Sequence, residues 1–88
     1  MYSKETVISN KAGLHARPAS DFIGCSSKFS SKIVIKKLET EEEANAKSIV
    51  MLLSLALRQG DKVEIRATGE DEVEAVEALV ALVSGNQE

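Results

Sequence analysis

The spacing of apolar side chains changes period several times along the chain, and each change marks a new element. From Tyr2 to Asn10 the residues alternate, with Tyr2, Lys4, Thr6 and Ile8 on one face and Ser3, Glu5, Val7 and Ser9 on the other. A period of two predicts a strand with one buried face, ending in the turn-forming run Asn10-Lys11-Ala12-Gly13. From Ala16 the spacing becomes helical. Ala19, Phe22, Ile23 and Ser26 fall on one side and Pro18 lies early, which predicts a helix over about 16–27.

Lys32-Ile33-Val34-Ile35-Lys36 is short and rich in β-branched residues, and predicts a second strand. Leu38-Glu39-Thr40-Glu41 connects it to a polar, exposed third strand near Glu42 to Asn45 that offers the core almost nothing. Ser48 opens a short helix with Ile49, Leu52, Leu53 and Ala56 on one side, closing before Gly60. Over Asp61 to Thr68 the residues Val63, Ile65 and Ala67 alternate with Lys62, Glu64 and Arg66, the clearest one-sided strand of the chain. After Gly69, Asp71 and Glu74 fit a capping box in which Asp replaces the usual Ser or Thr. Val73, Val76, Leu79, Val80 and Val83 then form the stripe of a last helix running to Gly85.

The resulting order is β-α-β-β-α-β-α, with one-faced strands and three helices that each need somewhere to bury a stripe. A sheet covered on one face satisfies all of them, which is an α+β architecture. At 88 residues the chain is read as one domain, 1–88, with a single modest core, so its chemistry is expected on the surface. There are no repeats or linkers, and the acidic run Glu39 to Glu43 reads as a solvated hairpin edge.

Composition narrows the function classes. The apolar runs are too short to cross a bilayer, and Met1 to Thr6 lack the basic flank and apolar block of a secretory signal, so a cytoplasmic location is expected. The single Cys25 cannot form an internal disulfide, and reads as a small, half-buried helix residue without chemistry. One Cys and one His cannot complete a tetrahedral site without carboxylates, so neither metal nor cofactor is expected. A net charge of -3 with scattered Lys and Arg, no Trp, one Tyr and two Phe argues against nucleic acid as a partner.

The informative segment is Gly13-Leu14-His15-Ala16-Arg17-Pro18-Ala19-Ser20, in which the only histidine stands in a loop directly before a helix. Imidazole titrates near pH 6.5, so much of it is unprotonated near neutral pH and open to act as a nucleophile or proton carrier. The first turn of a helix carries unpaired backbone N–H groups and partial positive charge, so an anion held on His15 would meet donors from Ala16 and Arg17. Ala16 has no side-chain oxygen to cap them, and the planar guanidinium of Arg17 suits phosphate oxygens. Spacing by itself also allows the plainer account, a loop histidine beside a solvated arginine.

The stretch from Gly13 to Ser20 closely resembles the active-site signature of the HPr family, the histidine-containing phosphocarriers of the bacterial sugar phosphotransferase system. A second stretch, Asn45-Ala46-Lys47-Ser48-Ile49-Val50-Met51-Leu52-Leu53-Ser54-Leu55, resembles the regulatory serine segment of the same family. Lys28-Phe29, Gly60 and the acidic opening of the last helix also fit, so the resemblance spans essentially the whole chain. It implies an open-faced β-sandwich, a four-stranded antiparallel sheet covered on one face by three helices. It also implies that His15 accepts a phosphoryl group on Nδ1 from phosphorylated enzyme I, itself charged by phosphoenolpyruvate, and passes it to the IIA component of a sugar permease. Arg17 is carried over as the phosphate-stabilising side chain, and the protein is expected to be a monomer that forms phosphohistidine within a relay.

For Ser48 two readings stand: a helix cap, and, by resemblance, a regulatory site modified by HPr kinase/phosphorylase in Gram-positive relatives, through which the protein serves a catabolite-control transcription factor. Met51 and Ala56 occupy positions where many Gram-positive members have glycine, Val50 replaces a common methionine, and the Glu39 to Glu43 stretch is more acidic than usual. Ser20, Ile49, Val50 and Leu53 are assigned to a partner-covered surface, with core packing as the alternative for the α-helical leucines and isoleucine. Two further classes share the pattern. One is a purely regulatory catabolite-repression module, whose HPr-like members lack the histidine; the other is a specialised paralogue serving nitrogen control or a dihydroxyacetone kinase through the same histidine.

Overall fold

The alternation of Val63, Ile65 and Ala67 with charged neighbours places β4 (Lys62–Thr68) at the centre of a four-stranded antiparallel sheet. The computed structural model describes residues 1–85. Its elements follow the order β1 (Tyr2–Val7), α1 (Ala16–Ser26), β2 (Lys32–Lys37), β3 (Glu42–Asn45), α2 (Ile49–Ser54), β4 and α3 (Glu72–Val83). The sheet order is β1-β4-β2-β3.

Register explains which side chains meet. Ile35 pairs with Ile65 and Ile33 with Ala67 between β2 and β4, while Ala44 pairs with Ile35 between β3 and β2. All of these are buried on the helix-covered face with Val63. Phe22 of α1, Leu52 of α2 and Val76 and Leu79 of α3 close over them with no exposed surface, joined by Ile8 and Leu57. The opposite face is polar: Arg66 reaches Glu43 across the sheet, Nη2 to Oε2 at 2.7 Å. One-sided patterning of this kind is what a sheet with one solvated face requires.

The open-faced α+β sandwich is therefore the fold, and α1 fits its stripe, with Ala19, Phe22 and Ser26 buried. The Ser26 hydroxyl finds a partner in the core by donating to the Ala46 carbonyl at 2.6 Å. Three expectations are corrected. The α2 stripe is Leu52 with Leu55, whereas Ile49, Leu53 and Ala56 face outward, because a six-residue helix has only one inward-facing turn. On α3, Val73 is 48% exposed and Ala75 is buried in its place. The capping box does not form, since Asp71 turns away from its own helix and accepts from Ser30 N, Ser31 N and the Ser31 hydroxyl at 2.9, 3.0 and 2.5 Å. Glu72, rather than Glu74, reaches back, accepting from Gly69 N at 3.0 Å.

Candidate functional site

His15 is the N-cap of α1, with extended backbone (φ -128°, ψ 164°) and a half-buried side chain. Its carbonyl accepts the first helical bond, from Ala19 N at 3.4 Å. Between these two residues, Pro18 has no amide hydrogen, and neither Ala16 N nor Arg17 N has a backbone or side-chain acceptor among the described residues. The orphaned donors of the first turn are thus the amides of Ala16 and Arg17, immediately after the imidazole, at the positive end of the helix. Both residues are exposed, and the Arg17 guanidinium makes no ion pair or hydrogen bond among the described residues. Two amides without acceptors and an unpaired guanidinium therefore follow the imidazole directly in the chain, at the start of α1.

The backbone around His15 is unusual. Ala16 has φ 51°, a left-handed conformation that alanine rarely adopts and that costs on the order of 1–3 kcal/mol. Upstream, Asn10 nucleates the loop: its Oδ1 accepts from Ala12 N and its carbonyl from Gly13 N, both at 2.9 Å. Leu14 is buried and its amide donates to the Leu57 carbonyl at 3.1 Å, so the loop leans on the α2–β4 connection. An open hollow of about 480 Å³ lies beside the loop, bordered by Asn10, Leu14, Pro18, Asp21 and Val83, and His15 does not line it.

Ser48 is the N-cap of α2, its hydroxyl accepting from Met51 N at 3.2 Å. Ile49, Val50 and Leu53 are 40%, 74% and 41% exposed, and Met51, at 44%, completes the apolar patch. Helix α1 packs on α2, but no hydrogen bond joins His15 to Ser48 among the described residues. Ser20 is exposed on α1. Sequence reasoning missed Met51 as a patch member and the left-handed turn at Ala16. The first had a readable signal, its place between Val50 and Leu52 on a helix too short to bury more than one side; the second had none. Cys25 is half-buried, and burial pushes its thiol up, away from reactivity. No helix among the described residues is long and apolar enough to cross a membrane.

Fold and site together define a class: a small open-faced sandwich that presents one imidazole, two unpaired amides and a guanidinium at a helix start. The chain matches, over residues 2–85, the family described as the PTS HPr component phosphorylation site. It is 47% identical to phosphocarrier protein HPr of Haemophilus influenzae over 83 residues, 94% of this chain and 95% of that one. It is 41% identical to the HPr-like protein Crh of Halalkalibacterium halodurans, over 94% of this chain and 96% of that one. The crystal structure of HPr from Thermoanaerobacter tengcongensis superposes with a TM-score of 0.90 at 47% identity, covering 94% of this chain and 91% of that one. The chain belongs to the HPr family, and its function is that of a phosphocarrier of the phosphotransferase system.

Proposed function

We propose that residues 1–88 act as one HPr-like unit in which Nδ1 of His15 accepts a phosphoryl group from phosphorylated enzyme I and delivers it to the IIA component of a sugar permease. The observation that carries this reading is the pair of unpaired amides at Ala16 and Arg17, directly beside the only histidine. In each transfer the P–N bond to the donor histidine breaks as the new P–N bond forms, and the three phosphoryl oxygens keep their charge throughout. Catalysis is then positioning plus charge stabilisation, which the helix start and Arg17 supply while the partner brings the second histidine.

Partner docking is assigned to the α2 patch of Ile49, Val50, Met51 and Leu53, with Ser20 on the neighbouring α1. An exposed apolar cluster on a small monomer marks a surface that another protein covers. Ser48 is proposed as the regulatory phosphosite for HPr kinase/phosphorylase, linking the carrier to a catabolite-control transcription factor. A phosphate at the N-cap keeps an acceptor opposite Met51 N and adds negative charge beside the docking patch. The carrier works in the cytoplasm as a monomer, without cofactor. The relationship to Crh favours a regulatory module as the second reading, and His15 favours the carrier.

Incubation with enzyme I and phosphoenolpyruvate, read by intact mass, tests the main reading. An acid-labile phosphate should form on the wild type and not on His15→Ala; its absence from the wild type, or persistence in the variant, overturns the proposal. With kinase and ATP, an acid-stable phosphate should form that Ser48→Ala lacks.

A further inference from the structure

Gly13 lies two residues before the imidazole, is buried, and has φ 71°. A Cβ built on it would stand 2.3 Å from the Leu57 carbonyl oxygen, 2.9 Å from Arg58 Cα and 3.2 Å from the Leu57 carbonyl carbon. All three atoms are backbone, so no side-chain rotation relieves the contact. The same Leu57 oxygen accepts the Leu14 amide at 3.1 Å, so one carbonyl both stops Gly13 and hydrogen-bonds its neighbour.

The carbonyl is itself held. Arg58 N donates to Asp61 Oδ2 and Asp61 N to the Arg58 carbonyl, at 2.9 and 3.0 Å. Ile8 N donates to the Asp61 carbonyl at 2.9 Å, and Leu57 is buried. From this fixed point the chain runs through buried Leu14 to His15 and the left-handed Ala16, leaving little slack between Gly13 and the two unpaired amides.

We propose that Gly13 is a positioning residue for phosphoryl transfer: its close approach to the Leu57 carbonyl sets where the His15 ring stands relative to the amides of Ala16 and Arg17. This rests on the carrier reading of His15. A β-carbon at position 13 would have to move about 1 Å to reach ordinary contact, and a misplacement of that size can lower a rate by about 10²-fold.

The test compares Gly13→Ala with Gly60→Ala. Gly60 has φ 93°, and a Cβ there meets nothing within 4 Å, so this control shares the backbone strain without the collision. With phosphorylated enzyme I, Gly13→Ala should show kcat lowered by about 10²-fold with KM unchanged, because docking lies on α2. Gly60→Ala should transfer within about twofold of wild type. Amide resonances of Ala16 and Arg17, shifted on phosphorylation of the wild type, should shift less in Gly13→Ala. Equal rates for the two variants, or equal losses, overturn the proposal. In the wild type the Leu14 amide should exchange hydrogen as slowly as core amides; exchange at an exposed-loop rate overturns it even if Gly13→Ala fails to fold. A wild type that never acquires phosphate on His15 defeats the carrier reading instead.

Discussion

The phenol of Tyr2 on β1 donates to Glu77 Oε2 on α3 at 2.5 Å, tying an edge strand to the last helix. Lys4 Nζ joins the same carboxylate, 3.1 Å from Oε1 and 2.9 Å from Oε2. The hydrogen bond to Glu77, followed by desolvation and the carboxylate charge, raises the Tyr2 pKa above its ordinary value. A raised folded pKa means that the contact stabilises fully below the ordinary phenol value of about 10 and is lost as pH rises through the higher folded value. Tyr2 is the only tyrosine and there is no tryptophan, so ultraviolet titration reads this group alone. The midpoint should lie above about 10 and move down in Glu77→Gln; a wild-type midpoint at or below that value refutes the linkage.

Asp71 carries the opposite sign. The Ser31 hydroxyl, with the Ser30 and Ser31 amides, holds its carboxyl below the ordinary range. Its contribution is therefore present above the ordinary aspartate value of about 3.9 and lost as pH falls toward the lower folded value. In Asp71→Asn, stability at neutral pH should drop, and the fall between about pH 4 and acid should become shallower than in the wild type. Urea midpoints measured across that window decide it; parallel pH profiles would show that Asp71 is not the titrating group.

These two contacts also show where sequence reading stops. β4 was legible because Val63, Ile65 and Ala67 alternate with charged residues, and burial rewards that alternation directly. Helix α3 blurred its own stripe: it is apolar nearly all round, so hydrophobicity pointed to Val73 where the sheet covers Ala75. Asp71 sits at a helix start that suits a cap, but its actual donors lie about forty residues away, beyond any local pattern. The candidate site divides in the same way. His15, Arg17 and the helix start are contiguous and could be read together, whereas the Gly13 contact with Leu57 exists only once β1, α2 and β4 have assembled.

Ala56, just after α2, has φ 53°, the left-handed position where helices commonly end in glycine. Alanine there costs about 1–2 kcal/mol, while glycine gives back about 0.4–1 kcal/mol through its freer unfolded chain. Ala56→Gly should therefore stabilise the protein by about 0.5–1 kcal/mol, seen as a higher urea midpoint with an unchanged slope. A lower midpoint would mean that the alanine methyl makes a contact worth more than the strain it carries.

Leu52 and Val50 stand two residues apart on α2 in opposite surroundings. Leu52 is fully buried, whereas Val50 is 74% exposed at the crest of the apolar patch. Truncating Leu52 to alanine removes buried methyl groups and leaves a cavity in the core, so stability should fall by about 2–5 kcal/mol. Truncating Val50 should change stability by no more than about 0.5 kcal/mol, since its side chain is already in water. If α2 carries the proposed docking surface, the effect should appear in association: Val50→Ala should raise KM for phosphoryl transfer from enzyme I with kcat retained, as expected of a contact that binds ground and transition states alike. If Val50→Ala leaves KM untouched while Leu52→Ala behaves as expected, α2 serves the core alone and the docking surface must be sought along α1, beginning at Ser20.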